Sequence, residues 1–222
     1  MTLQEAIKAR HAVRSFTDRK IEPGKVDELT RLMNECNTRG GLRIQLVTDD
    51  SKAFDNRWAR YGKFSGVKNY FALVGPKHPT LDERLGYYGE QLVLRAQQLG
   101  LNTCWVGLTF KKDKETVGVD TGERLRCVIA LGYGTTQGTA HKVKPFHKVA
   151  HADGTPPQWF CQGVESALLA PTALNQQKFV FTLKGTRQVH AQAAWGFFSK
   201  LDLGIVKYHF EVGAGPENFE WV

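Results

Sequence analysis

GEQLVLRAQQLGLNTCWVG, residues 89–107, is the stretch on which the fold turns. Its first part completes an apolar helical period that opens at Leu81 and runs to Leu99. Gly100 then supplies the residue that most easily takes the left-handed conformation ending a helix. TCWVG follows as a strand. At its end, Trp105, Val106 and Gly107 offer backbone N–H groups to a ligand, because glycine has no Cβ to obstruct the approach.

On the N-terminal side, Thr2-Leu-Gln-Glu5 forms a capping box that starts a short helix with Leu3, Ala6 and Ile7 on one face. Pro23 sits in the first turn of a second helix, where its missing N–H costs little. Val26, Leu29, Leu32, Met33 and Cys36 keep the 3.6-residue period there. LRIQLVT (42–48) and NYFALVG (69–75) are expected strands. On the C-terminal side, a short charged helix from Lys111 precedes the strand RLRCVIALGYG, and a polar connection runs from Thr135 to Pro157. Beyond it come a helix ending at Ala170, the strand KFVFTL, a helix over Ala191–Leu201 and the strand GIVKYHFEVG. On that reading Trp195, Phe197 and Phe198 are helix core and His209 is a sheet histidine. Helices and strands mix without regular βαβ spacing, which favours α+β over a doubly wound sheet. Two internal echoes suggest an unequal duplication: LGLNTCW with LGIVKYHF, and TRLMNECNTRGGLRIQLV with ESALLAPTALNQQKFVFTL.

The chain of 222 residues is 41% hydrophobic and 23% charged, an ordinary globular composition. No apolar run approaches the ~20 residues that span a bilayer, and MTLQEAIKARH lacks a signal-peptide pattern. Cys36, Cys104, Cys127 and Cys161 are widely spaced without a C-x-x-C pair, which points to a reduced, cytoplasmic setting. The net charge of +8 favours anionic partners. The cations are spread along the chain, and the densest piece, HKVKPFHK (141–148), has no nucleic-acid-binding signature around it.

Three segments invite a ligand. In ALLAPTALNQQKFVF (167–181) a proline turn is followed by carboxamides, which suit a flat heterocycle edge with alternating donors and acceptors. The plainer alternative is that Asn175 caps a turn while the glutamines face water. In RHAVRSF, Arg10 and Arg14 share a side if the helix continues through them, and their guanidinium groups suit phosphate or a carbonyl-rich ring. A solvated basic helix end explains them equally. Lys142 and Lys144 alternate along HKVKP, as a second phosphate grip or as an ordinary basic loop.

Taken together, R-H-x-x-R, then GEQLVLRAQQLGLNTCWVG, then IALGYG resemble the nitroreductase-like flavoproteins over nearly the whole chain. That resemblance implies FMN between two subunits, one giving the basic motif and the glycine, the other a Pro-Ser/Thr-x-x-Asn-x-Gln loop. Here the loop, APTALNQQ, lies in the second half of the same chain, and the first half has NECNTRGG in its place. The implied architecture is a single-chain pseudo-dimer of two unequal copies, each a helix-flanked, mainly antiparallel sheet. One copy would span 1–140, a connecting segment 141–158, and the shorter copy 159–222.

By the same resemblance, Arg10, His11 and Arg14 would meet the FMN phosphate and the pyrimidine side of the ring. Pro171, Thr172, Ala173, Asn175 and Gln177 would line the ring, Val106 and Gly107 would approach N5 and O4 through backbone, and Lys142 and Lys144 would hold phosphate. Ala12 stands where the family usually has a phosphate-bonding serine, and Lys178 where it has a proline; both bear on how tightly FMN is held.

The implied activity carries electrons from NADH or NADPH through flavin to a nitroaromatic, quinone or similar planar acceptor, with no catalytic protein nucleophile. The flavin site needs no metal, nucleic acid or membrane, and the chain is expected as a monomer or weak homodimer. Three other readings stay open: a flavin-binding sensor or reservoir without turnover, a metal protein built on His141, His147, His151 and Asp153, and a nucleic-acid-binding module.

Overall fold

In a computed structural model the described residues are 1–112 and 116–222. Helices and two four-stranded sheets make an α+β fold. The first sheet takes strands β1 (Gln45–Val47), β2 (Asn69–Pro76), β3 (Asn102–Val106) and β4 (Glu123–Gly132) in the order β1-β2-β4-β3, antiparallel throughout. The second takes β5 (Ala150–Ala152), β6 (Phe179–Lys184), β7 (Gln188–Ala193) and β8 (Glu220–Trp221) in chain order. Its centre, β6 with β7, is antiparallel, while β5 and β8 join the edges in parallel.

The helices are α1 (Leu3–Ala9), α2 (Pro23–Gly40), the short α3 (Arg57–Tyr61), α4 (Leu81–Gln98), α5 (Gln158–Leu168) and α6 (Ser199–Ala214). The expected capping box closes the start of α1, and Pro23 opens α2. Gly100, with φ 77°, follows the end of α4. One face of the first sheet packs with α2 and α4 into a large core that also holds α5, α6 and the second sheet. The other face packs against Phe54, Phe64 and Val67, so β2 is buried through seven of its eight residues.

The last part of the chain corrects the sequence reading. Ala191 lies in a strand, β7, and the expected strand GIVKYHFEVG is the body of α6. Ile205, Val206, Tyr208, Phe210 and Val212 favour strands on propensity, but α6 is enclosed on almost every side and shows no polar stripe to reveal its period. The hairpin before it hides because Ala191, Ala193 and Ala194 suit a helix better than a strand. Phe198 is buried at the first turn of α6, whereas Trp195 is 95% exposed and Phe197 50% exposed, so these two are not helix core. The echo of LGLNTCW with LGIVKYHF therefore pairs a strand with a helix and fails. In the other echo, α2 leads to β1 as α5 leads to β6. Lys111 and Lys112 are not helical, and the rest of the charged helix expected there lies outside the described residues.

Candidate functional site

Arg10 and Arg14 come together with the strand end by a route other than a continued helix. After Ala9 the chain is extended, with Arg10 at φ −72° and ψ 121°. Ala12 bridges Thr103 in parallel, and the Val13 N–H donates to the Thr103 carbonyl at 3.1 Å. Lying along β3, this segment aims both arginines at the cavity where β3 ends.

Arg10 is only 4% exposed. Its Nε stands 4.0 Å from Oε1 of Glu90, a wholly buried carboxylate on α4. Glu90 also accepts the Trp105 indole N–H at 2.8 Å and meets His209 Nε2 at 2.9 Å. His209 Nδ1 faces the Ser166 carbonyl at 3.1 Å. Both ring nitrogens of His209 thus face oxygen atoms. Burial pushes the Arg10 pKa down, and Glu90 works against that push. The Arg10 Nε has no hydrogen-bond partner among the described residues, so a buried cation with an unused donor borders the cavity.

The opposite wall comes from the second half of the chain. Pro171, Thr172, Ala173 and Leu174 reach the cavity from the loop after α5. Leu174, Asn175 and Gln177 hold φ of 54°, 52° and 44°, a left-handed run that costs non-glycine residues about 1–3 kcal/mol each. Side-chain bonds hold the loop in that shape. Asp202, in the first turn of α6, accepts the Ala173 N–H at 3.0 Å and the Gln176 amide at 2.7 Å. Thr172 Oγ1 accepts the Gln177 N–H at 3.1 Å.

Asp202 is 2% exposed. Burial raises its carboxyl pKa to about 6, against the pull of the bonds from Gln176 and Ala173. An unfolded aspartate titrates near ~3.9, so the folded chain holds this proton more tightly. The stability from this group is full below about pH 4 and lost as pH rises through about 6. Urea unfolding of the wild type and of Asp202→Asn checks the sign. Between pH 4 and pH 7 the difference in unfolding free energy should move in favour of the variant, then level off.

Of the residues singled out in the sequence, Arg10, Arg14, Val106, Gly107, Pro171, Thr172 and Ala173 line one cavity. Its enclosed space is about 160 Å³, below the ~300–1,000 Å³ usual for small-molecule sites. The Phe198 ring accounts for this by lying on Gly107, where an added Cβ would come within 2.7 Å of it.

His11, Lys142, Lys144, Asn175 and Gln177 do not line that cavity. The carboxamides of Asn175 and Gln177 both donate to the Lys142 carbonyl at 2.8 Å, and Gln177 Oε1 accepts the Lys144 N–H at 2.8 Å. Lys144 Nζ donates to the Gln177 carbonyl at 2.9 Å. In this structure these residues therefore clamp the 142–144 connection to the loop. His11 is half-buried, and burial together with Arg10 pushes its imidazole pKa down. Among the described residues no group of three or more His, Cys, Asp or Glu is placed to hold a metal ion, and no helix is long and apolar enough to cross a membrane.

The sequence reading missed Phe198, Asp202 and the Glu90–His209 pair. An acidic residue in a helix's first turn would have marked Asp202, had α6 been recognised.

Several crystal structures share this fold. A protein of Thermotoga maritima described as a "putative nitroreductase" matches over 96% of this chain and 83% of its own, at 24% identity and a TM-score of 0.65. A Bacteroides thetaiotaomicron protein described as a "Putative NADH dehydrogenase/NAD(P)H nitroreductase" matches over 66% of this chain and 95% of its own, at 19% identity and a TM-score of 0.54. A Desulfovibrio desulfuricans "putative nitroreductase in complex with fmn" matches over 67% and 94%, at 18% identity and a TM-score of 0.50. The architecture is thus that of the nitroreductase fold. The sequence model of the family described as "Putative TM nitroreductase" matches residues 2–214, and the chain belongs to this oxidoreductase family. No curated protein sequence matches it.

Proposed function

We propose that the chain is an FMN-dependent oxidoreductase that takes electrons from NADH or NADPH and delivers them to a nitroaromatic, quinone or similar planar acceptor. The observation that carries this reading is the buried Arg10 guanidinium, whose unused Nε borders a cavity shared with Gly107 and the Pro171–Ala173 turn. Those residues fit a flavin: a fixed cation for the carbonyl-rich pyrimidine edge, an unobstructed backbone at Gly107, and a rigid neutral wall opposite. When bound, FMN supplies reversible two-electron transfer between a nicotinamide and the acceptor.

In this reading Arg10 holds positive charge at the pyrimidine edge, prearranged by Glu90, so that negative charge developing there is stabilised without reorganisation. Val106 and Gly107 present backbone to the ring edge. Phe198 withdraws from Gly107 to admit it. Arg14, exposed at the mouth, holds the phosphate with His11, Lys142 and Lys144. Pro171, Thr172 and Ala173 fix the ring's position, with Asn175 and Gln177 bracing their loop.

The cavity draws on both ends of the chain, which supports a fused pseudo-dimer with halves at 1–140 and 159–222 joined through 141–158. Also in favour, two relatives match about two thirds of this chain with nearly all of their own. The joining segment contributes β5 to the second sheet.

The test is an FMN titration followed by absorbance, then oxidation of NADH and NADPH with a quinone or nitroarene present. Absence of FMN binding would end the reading, while tight binding without turnover would make the chain a flavin sensor or reservoir. That second reading is favoured by the narrow space under Phe198. Gly107→Ala is a sharper probe, because its Cβ covers the backbone edge that the ring would meet and stands within 2.7 Å of Phe198. It should weaken FMN binding at least about tenfold, or about 1.4 kcal/mol, as read by flavin fluorescence.

A further inference from the structure

α4 and α6 cross at two glycines, and the contacts there are reciprocal. A Cβ on Gly86 would lie 2.0 Å from the Leu201 carbonyl oxygen and 3.1 Å from the Ile205 nitrogen. A Cβ on Gly204 would lie 1.9 Å from the Glu83 carbonyl oxygen and 2.6 Å from the Tyr87 nitrogen. Each glycine thus meets the third residue before its counterpart and the first residue after it, which is a local two-fold axis through the crossing. That axis pairs Leu201, Asp202 and Ile205 with Glu83, Arg84 and Tyr87. The first three line the cavity described above; the second three line another, of about 360 Å³, on the opposite side. Each cavity also has a tryptophan among its lining residues. Trp105 in the first cavity donates its indole N–H to Glu90, and Trp221 in the second donates to Glu211 at 2.7 Å.

The chemistry differs where the geometry repeats. Asp202 of the first cavity is matched by Arg84 in the second, so the charge is inverted. Arg84 Nη1 donates to the Gly40 carbonyl at 2.7 Å, while its Nε is buried without a hydrogen-bond partner among the described residues. Arg39, exposed at the end of α2, lies 5.9 Å from the Tyr88 ring centre. Among the described residues neither arginine is paired with a carboxylate. The two carboxylates present are already engaged: Glu83 binds Lys207 at 2.9 Å, and Glu211 accepts the Tyr87 hydroxyl at 2.5 Å as well as the Trp221 indole. The cavity therefore has two guanidinium groups without a carboxylate partner among the described residues, with Tyr88 beside Arg39 and Lys207 Nζ 4.8 Å from the Trp221 ring centre.

We propose that this second cavity is a binding site, distinct from the flavin pocket, for a small planar carboxylate. The carboxylate is held by Arg84 and Arg39, whose forked donors match its two oxygens. The ring lies against the aromatic side chains that line the cavity, Tyr87, Tyr88 and Trp221, whose contacts add to the charge pairing. The cavity volume falls at the lower end of the ~300–1,000 Å³ range and suits a one-ring ligand rather than a dinucleotide.

Benzoate is the probe, added to the full chain labelled with ¹⁵N at tryptophan, with and without FMN. The indole N–H resonances of Trp221 and Trp105, assigned by tryptophan-to-phenylalanine variants, report on the second and first cavities separately. Benzoate should shift the Trp221 resonance saturably whether or not FMN is present. Arg39→Ala and Arg84→Gln should each raise the dissociation constant at least about tenfold, or about 1.4 kcal/mol. Arg39 is exposed and caps nothing, so its variant keeps the test valid if loss of the Gly40 bond unfolds Arg84→Gln. An unmoved Trp221 resonance, a shift confined to Trp105, or full retention of affinity in Arg39→Ala would overturn the proposal. Equal binding of inorganic phosphate would overturn the planar part of it by leaving a plain anion site. A chain that fails to bind FMN still gives a clear result at Trp221, so the two readings fail separately.

Discussion

Arg10→Met should abolish measurable FMN binding and lower the unfolding free energy by about 3 kcal/mol. The binding loss follows from removing the one buried cation that lines the cavity among the described residues. The stability loss has a different origin. Glu90 is wholly buried, and removing a partner of a buried charge leaves the other uncompensated, which costs about 3–5 kcal/mol. The low end applies because His209 stays 2.9 Å from the same carboxylate, whereas Arg10 is 4.0 Å away. The double variant Arg10→Met/Glu90→Gln separates the effects. It should recover most of the stability in urea unfolding and still fail to bind FMN in a fluorescence titration. Wild-type affinity in the single variant would remove the basis of the flavin reading.

Gly204→Ala and Gly86→Ala should each destabilise the fold by about 3 kcal/mol or more, or prevent folding. An alanine methyl at either position would sit within about 2 Å of a backbone oxygen on the facing helix. A flexible side chain can move aside; a helix backbone moves only if the whole crossing opens. Since α6 carries walls of both cavities and α4 a wall of the second, a variant that does fold should lose FMN and benzoate binding together. Gly24 is the control, because a Cβ there meets nothing within 4 Å in the first turn of α2. Gly24→Ala should be neutral or stabilise by up to about 1 kcal/mol. Thermal or urea melts of the three variants decide the matter, and equal effects would refute the tight crossing.

Much of the first 134 residues was legible because their elements are amphipathic or sharply bounded. Thr2 and Glu5 marked a helix start, Pro23 another, and Gly100 a stop, each through a local backbone requirement. The strand 69–76 announced itself as an unbroken apolar run, as expected when both sheet faces are covered. The later hairpin and α6 were misread because they are decided by neighbours. An alanine-containing central strand and a helix full of β-branched and aromatic residues both run against local preference, and only tertiary packing settles them.

The candidate site divided along the same line. Arg10, Arg14, Gly107 and the Pro171 turn could be picked out as chemistry awaiting a ligand, because unusual residue types sit close together in the chain. Glu90 and His209 are 119 positions apart, and neither stands out until the fold brings them within hydrogen-bonding distance. Asn175 and Gln177 were legible as a carboxamide loop, but the tertiary structure turns their amides to the 142–144 backbone.

Local order therefore determined where helices begin and end, which segments run through the core, and which residues bring charge and shape to a ligand. Backbone rules and side-chain chemistry act over a few residues, so a linear text carries them. The crossing of α4 and α6, the partners of each buried charge and the pairing of the two cavities came only from the tertiary structure. These depend on contacts between distant segments, and their energies exist only once water has been excluded between them.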